Sequence, residues 1–109
     1  MNYLLDTDIC IYWLRGNAQI HEHFVAVGAQ AITISVVTLA ELHYGAACSA
    51  RAEENHVSVE NFVNGLTILE VTPGVAQRFG EIKAILRAKG TLIEDFDLLL
   101  AATAIEHSL

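Results

Sequence analysis

Met1-Asn2-Tyr3-Leu4-Leu5-Asp6-Thr7-Asp8 is the stretch whose reading decides the fold. Tyr3, Leu4 and Leu5 form a short apolar run without polar alternation. That pattern predicts a strand buried on both faces, as in a parallel sheet covered by helices. Asp6 follows at once. A carboxylate is costly in a core unless it is paired or binds a cation. At the carboxyl end of a parallel strand it stands instead at the rim where open α/β sheets hold their ligands. The opening residues therefore predict a central strand that delivers an acid to a site.

Working outward, Thr7 or Asp8 is expected to cap a helix over about Ile9 to Arg15, with Gly16 as its stop. A second helix is expected over Ala18 to Val27, ended by Gly28, and a second strand over Ile32 to Ser35. Thr38 followed three residues later by Glu41 matches a capping box opening the next helix. A helix through Ala50 to Asn64 would be anchored by Val57, Phe62 and Val63. Leu66 to Val71 reads as a third strand. Thr72 caps, and Pro73 opens, a helix reaching about Lys89. Leu92 and Ile93 read as a short extended piece, and a last helix starts near Phe96. Strands alternating with helices imply parallel pairing. The expected fold is α/β, a three-layer α/β/α domain around a central parallel sheet. The apolar last helix runs to Leu109, where such a domain normally returns to its sheet. The expectation is one domain over residues 1–109 that lacks a usual C-terminal strand.

Composition narrows the function classes. The chain has 109 residues, 53% of them hydrophobic, which suits one domain with a real core. No apolar run approaches the ~20 residues that span a bilayer. The N-terminus lacks the basic-then-apolar pattern of a signal peptide. The expected location is the cytoplasm, with no membrane partner. Cys10 and Cys48 make no disulfide framework and read as partly buried free thiols. Six Lys plus Arg stand against 13 Asp plus Glu, a net charge of −7. That is a poor footprint for non-specific nucleic-acid binding, but it suits carboxylates gathered around a cation.

Three acids carry the functional reading. Asp6 ends the first strand, Glu41 lies in the first turn after the second strand, and Asp97 lies in the first turn of the last helix. Helix starts that follow parallel strands open on the same sheet edge as the strand ends, so the three can converge. Hard oxygen ligands in small number, completed by water, suit Mg²⁺ or Mn²⁺. Such a site can activate water against a phosphodiester. Each acid also has a plainer role: Asp6 as turn residue or cap, Glu41 completing the capping box, Asp97 favouring the helix dipole. Thr7, Asp8 and Asp95 are the supporting residues, with Asp95 expected as N-cap of the last helix. The five histidines form no ligand set and read as solvated surface.

At these residues the chain resembles the PIN-domain family, and within it the VapC-type toxins of toxin–antitoxin pairs. The matching pieces are Tyr-Leu-Leu-Asp-Thr-Asp (3–8), Ile-Ser-Val-Val-Thr-Leu-Ala-Glu-Leu-His-Tyr-Gly (34–45) and Ile-Glu-Asp-Phe-Asp-Leu-Leu-Leu-Ala-Ala-Thr-Ala (93–104). The resemblance implies a Mg²⁺-dependent endoribonuclease, an RNA substrate, a homodimer and a cognate antitoxin protein. It also implies that Asp6, Glu41 and Asp97 are the metal-binding, catalytic acids. Two alternatives stay open. One is a HAD-like phosphohydrolase, in which Asp6 and Asp8 form an Asp-x-Asp pair, although that reading has no use for Glu41. The other is a catalytically impaired PIN fold acting as a binding module.

Overall fold

The computed structural model describes residues 2–109. Three strands form one parallel sheet in the order β1 (Tyr3–Leu4), β2 (Ile32–Ser35), β3 (Thr67–Leu69). Six helices accompany it: α1 (Thr7–Leu14), α2 (Ala18–Val27), α3 (Val36–Ala47), α4 (Ala52–Val63), α5 (Pro73–Ala88) and α6 (Asp95–Glu106). This is the expected α/β fold. One correction concerns which strand is central. All four residues of β2 are buried, and β2 pairs with both neighbours, whereas β1 lies at an edge of the described sheet. The uninterrupted apolar run is in β1, yet Tyr3 is exposed, whereas β2 alternates apolar Ile32 and Ile34 with polar Thr33 and Ser35 and is buried because it pairs on both sides. Tyr3 stands opposite Ile32 and Leu4 opposite Thr33. The Thr33 hydroxyl donates to the Tyr3 carbonyl at 2.8 Å, reinforcing the ladder at the edge.

The main core gathers Cys10, Ile34, Leu42, Val59 and Phe62. Val57, an expected anchor of α4, is 53% exposed, and Val59 takes its place. The two are two residues apart and so lie on opposite sides of the helix. Trp13 stacks between α2 and α4, with ring centroids 5.9 Å from Phe24 and 4.8 Å from Phe62. Burial, with the Asp6 charge adding to it, pushes the Cys10 thiol up from 9.0 to about 12. Cys48 is exposed rather than partly buried, and both thiols are free.

Helix starts account for most of the remaining differences. Asp6, not Thr7 or Asp8, caps α1. Ser35 caps α3, its hydroxyl accepting from the Val37 amide at 3.0 Å. The helix is therefore capped three residues before the expected Thr38 cap. Thr38 lies fully buried inside it, its hydroxyl without a partner among the described residues. There is no capping box, and Glu41 sits in the second turn. Thr72 and Pro73 open α5 as expected, the Thr72 hydroxyl accepting from the Val75 amide at 3.3 Å. Leu92 and Ile93 join no strand and are about half exposed.

Candidate functional site

The parallel register sets the ends of β1 and β2 side by side, and the segment beyond each end supplies one acid. Two residues beyond β1, Asp6 turns its Oδ1 onto the Ile9 amide at 2.8 Å. That bond caps α1 and fixes the carboxylate, leaving Oδ2 free. Directly beyond β2, α3 carries Glu41 in its second turn. Thr7, the first residue of α1, donates its hydroxyl to Glu41 Oε1 at 2.7 Å. The contact joins residues 34 apart in sequence and is half-buried. A bond from a hydroxyl to a carboxylate this short is of the strong, charge-assisted kind.

The third acid comes from α6. Asp97 lies in its first turn and has no ion-pair partner among the described residues. Asp6, Thr7, Asp8, Glu41 and Asp97 line one open cleft of about 700 Å³. The three sequence-predicted acids and two of their supporting residues thus share one space. Asp95 does not. It is the first helical residue, not the cap, and the cap position, Glu94, makes no side-chain bond. Asp95 instead accepts from Lys83 Nζ at 2.9 Å, tying α6 to α5. The face of α6 that turns inward carries Leu98, Ala102 and Thr103, while Ile105 is exposed.

The donor chemistry suits a small hard cation: the lining holds four carboxylates, Asp8 beside the three predicted acids, each with at least one oxygen unpartnered among the described residues, and no Lys or Arg. Their spacing is open. Among the described residues no three Asp, Glu, His or Cys side chains stand close enough to hold an ion between them. The residues present therefore fit a hydrated ion, held by one or two carboxylates and otherwise by water, which is how Mg²⁺ is usually bound. They do not form an all-protein cage.

Sequence reasoning overlooked several polar features. The Thr7–Glu41 bond had no local signal. His43 and His56 bring their Nδ1 atoms within 2.7 Å across α3 and α4. His21 stacks on Trp13 with centroids 4.5 Å apart. Three of the five histidines are therefore half-buried rather than solvated. Tyr44, one helical turn beyond Glu41, is 73% exposed at the cleft rim, and Phe96 stands half-exposed beside Asp97.

Known proteins are similar to this chain over nearly its whole length. Ribonuclease VapC2 of Haemophilus influenzae is 40% identical over 110 residues, covering 100% of this chain and 83% of that protein. The tRNA(fMet)-specific endonuclease VapC of Shigella flexneri is 34% identical, with the same coverage. The DNA-bound VapBC crystal structure from Salmonella typhimurium superposes with a TM-score of 0.94 at 34% identity, covering 100% of this chain and 83% of that one. VapBC2 from Rickettsia felis, bound to a promoter DNA fragment, gives 0.90 at 31% identity, covering 99% and 83%. The PIN domain family matches residues 3–109, and with the α/β fold and the acid cleft already described, the chain belongs to that family.

Proposed function

We propose that this chain is a metal-dependent endoribonuclease, the toxin of a VapBC-type toxin–antitoxin pair. The observation that carries the reading is the convergence of Asp6, Glu41 and Asp97 on one cleft in a PIN domain. Relatives at 34–40% identity named ribonuclease or endonuclease support it. The similarity to VapBC complexes supports a cognate antitoxin as partner. A homodimer and a cytoplasmic location belong to the same proposal. No helix among the described residues is long and apolar enough to cross a membrane.

Mg²⁺ is the proposed ion, with Mn²⁺ as an alternative. Held by one or two of Asp6, Glu41 and Asp97, it would supply Lewis acidity that eases ionisation of water and offsets charge on the phosphodiester. The protein's own groups do the rest. Thr7 holds Glu41 in one orientation, the kind of supporting bond that tunes ligands. The Ile9 amide does the same for Asp6. Neither oxygen of Asp97 has an ion-pair partner among the described residues, so it can contact the ion or accept the proton from attacking water. Asp8, at the cleft edge, adds negative potential that raises local cation concentration.

The test is RNA cleavage by the purified protein with Mg²⁺ or Mn²⁺ and with EDTA, beside calorimetric titration of each ion. Cleavage that requires the ion, and an ion site weakened by Asp6→Asn, is the expected result. Cleavage that persists in EDTA would refute the metal-dependent mechanism. No cleavage of any RNA with either ion would refute the nuclease reading.

A further inference from the structure

The acid cleft does not end at Glu41. On the other side of that residue lies a second hollow of about 310 Å³, lined by Arg15, Asn55 and Ser58 among others. The two hollows share Ile11, Glu41 and Gly45, so they adjoin on either side of Glu41. Tyr44 stands over the acid side, and Arg15 lies on the far side.

Both residues are unusual for their setting. Tyr44 exposes 73% of its surface, a large aromatic ring left in water on the same helix face as Glu41, three residues on. Arg15 is one of only six cationic side chains. Arg51, Arg78 and Lys83 are held in ion pairs with Glu54, Glu106 and Asp95. Arg87 and Lys89 lie at the C-terminal end of α5. Arg15 alone lines a hollow bordering Glu41, and no carboxylate pairs with it among the described residues. In a protein of net charge −7 it offers the anion contact adjoining the acids. It closes α1 as Asp6 opens it, about 13 Å away at helical rise.

Resting on the ribonuclease reading, we propose that Tyr44 and Arg15 are RNA-contacting residues that extend the substrate track beyond the acids, Tyr44 stacking an unpaired base beside them and Arg15 taking a phosphate in the adjoining hollow. A duplex keeps its bases stacked on one another and cannot offer a face to Tyr44. An exposed aromatic beside a backbone-tracking cation is how unpaired strands are held without sequence readout.

The experiment is fluorescence anisotropy in EDTA with a labelled single-stranded RNA oligonucleotide and a perfect duplex of the same sequence. The proteins are wild type, Tyr44→Ala, Tyr44→Phe and Arg15→Ala, with circular dichroism confirming each fold. Tyr44→Ala should weaken single-strand binding about tenfold, and Tyr44→Phe should restore it. Arg15→Ala should weaken binding and flatten the slope of log K against log salt by about 0.7. Unchanged single-strand affinity in both alanine variants would overturn the track and leave the face to a protein partner. Equal wild-type affinity for the duplex would also overturn it. Because binding is read without turnover, an inactive wild type would sink the nuclease reading while these variants still decide the track.

Discussion

Replacing Thr7 by Val tests the contact that ties the first helix to the third. The substitution keeps the β-branched shape and removes only the hydroxyl that donates to Glu41 at 2.7 Å. Hydrogen bonds to charged groups contribute about 1.5–3 kcal/mol. Both partners are half-buried, so water replaces part of the loss, and the lower end, about 1.5 kcal/mol, is the expected cost. At about 4 °C per kcal/mol for a domain of this size, the thermal midpoint should fall by about 6 °C. Thr7→Ser keeps the donor and should recover most of it. Combining Thr7→Val with Glu41→Ala in a double-mutant cycle isolates the pair, and a coupling of about 1 kcal/mol or more is expected. Chemical denaturation of the four proteins supplies the free energies. Loss of the bond also frees Glu41 to rotate, so metal-dependent cleavage should slow roughly ten- to a hundredfold, as when a supporting contact to a ligand is removed. A coupling below about 0.3 kcal/mol, within ordinary additivity, would show that Thr7 does not hold Glu41 in solution.

Asp97→Asn should reduce cleavage at least about a hundredfold, roughly 3 kcal/mol of transition-state stabilisation, without lowering the thermal midpoint. Asp95→Ala should leave cleavage intact and cost about 0.5 kcal/mol or less, because its pair with Lys83 is solvent-exposed; rate and midpoint measured on both variants check the contrast. Only Cys48 should react quickly with a thiol reagent on the native protein at about pH 8, and both cysteines on the unfolded chain. The buried Cys10 thiol binds its proton more tightly folded than unfolded, so its contribution is intact below pH 9.0 and is lost as pH rises towards 12. The loss across that window is about 4 kcal/mol. Cys10→Ala should lack that part of the alkaline decline, and identical slopes in urea titrations of the two proteins would refute the assignment.

The sequence signals that succeeded were local and periodic. Val27 followed by Gly28 ended α2 as expected, Thr72-Pro73 opened α5, and the run from Ile32 to Ser35 was a strand. The same locality explains the failures. Thr38 and Glu41 have capping-box spacing, but Ser35 caps first because β2 passes into α3 without a loop. Val36 and Val37, being β-branched, carry no helix-start signal of their own. Asp95 precedes an apolar helix in the way a cap does, and its actual partner, Lys83, lies twelve residues back on another helix. The pairing of His43 with His56 requires α3 and α4 to pack first. That Asp6, Glu41 and Asp97 would meet in one cleft was legible because each stands at the end of a strand or near the start of a helix. What holds Glu41 was not, since Thr7 is 34 residues away.

On the proposed function, Asp6 answers to two demands at once. Active-site carboxylates usually burden a fold, and their replacement often stabilises it. Here one oxygen of the carboxylate starts α1, so the residue offsets part of the repulsion it brings. Asparagine, an equally good cap, would keep the helix start and discard the charge, whereas alanine would lose both. The difference in stability between those two replacements measures how far this protein has made its reactive position a scaffold position. The larger that difference, the fewer sequences can drift away from a capping side chain at residue 6 even after catalysis is no longer needed.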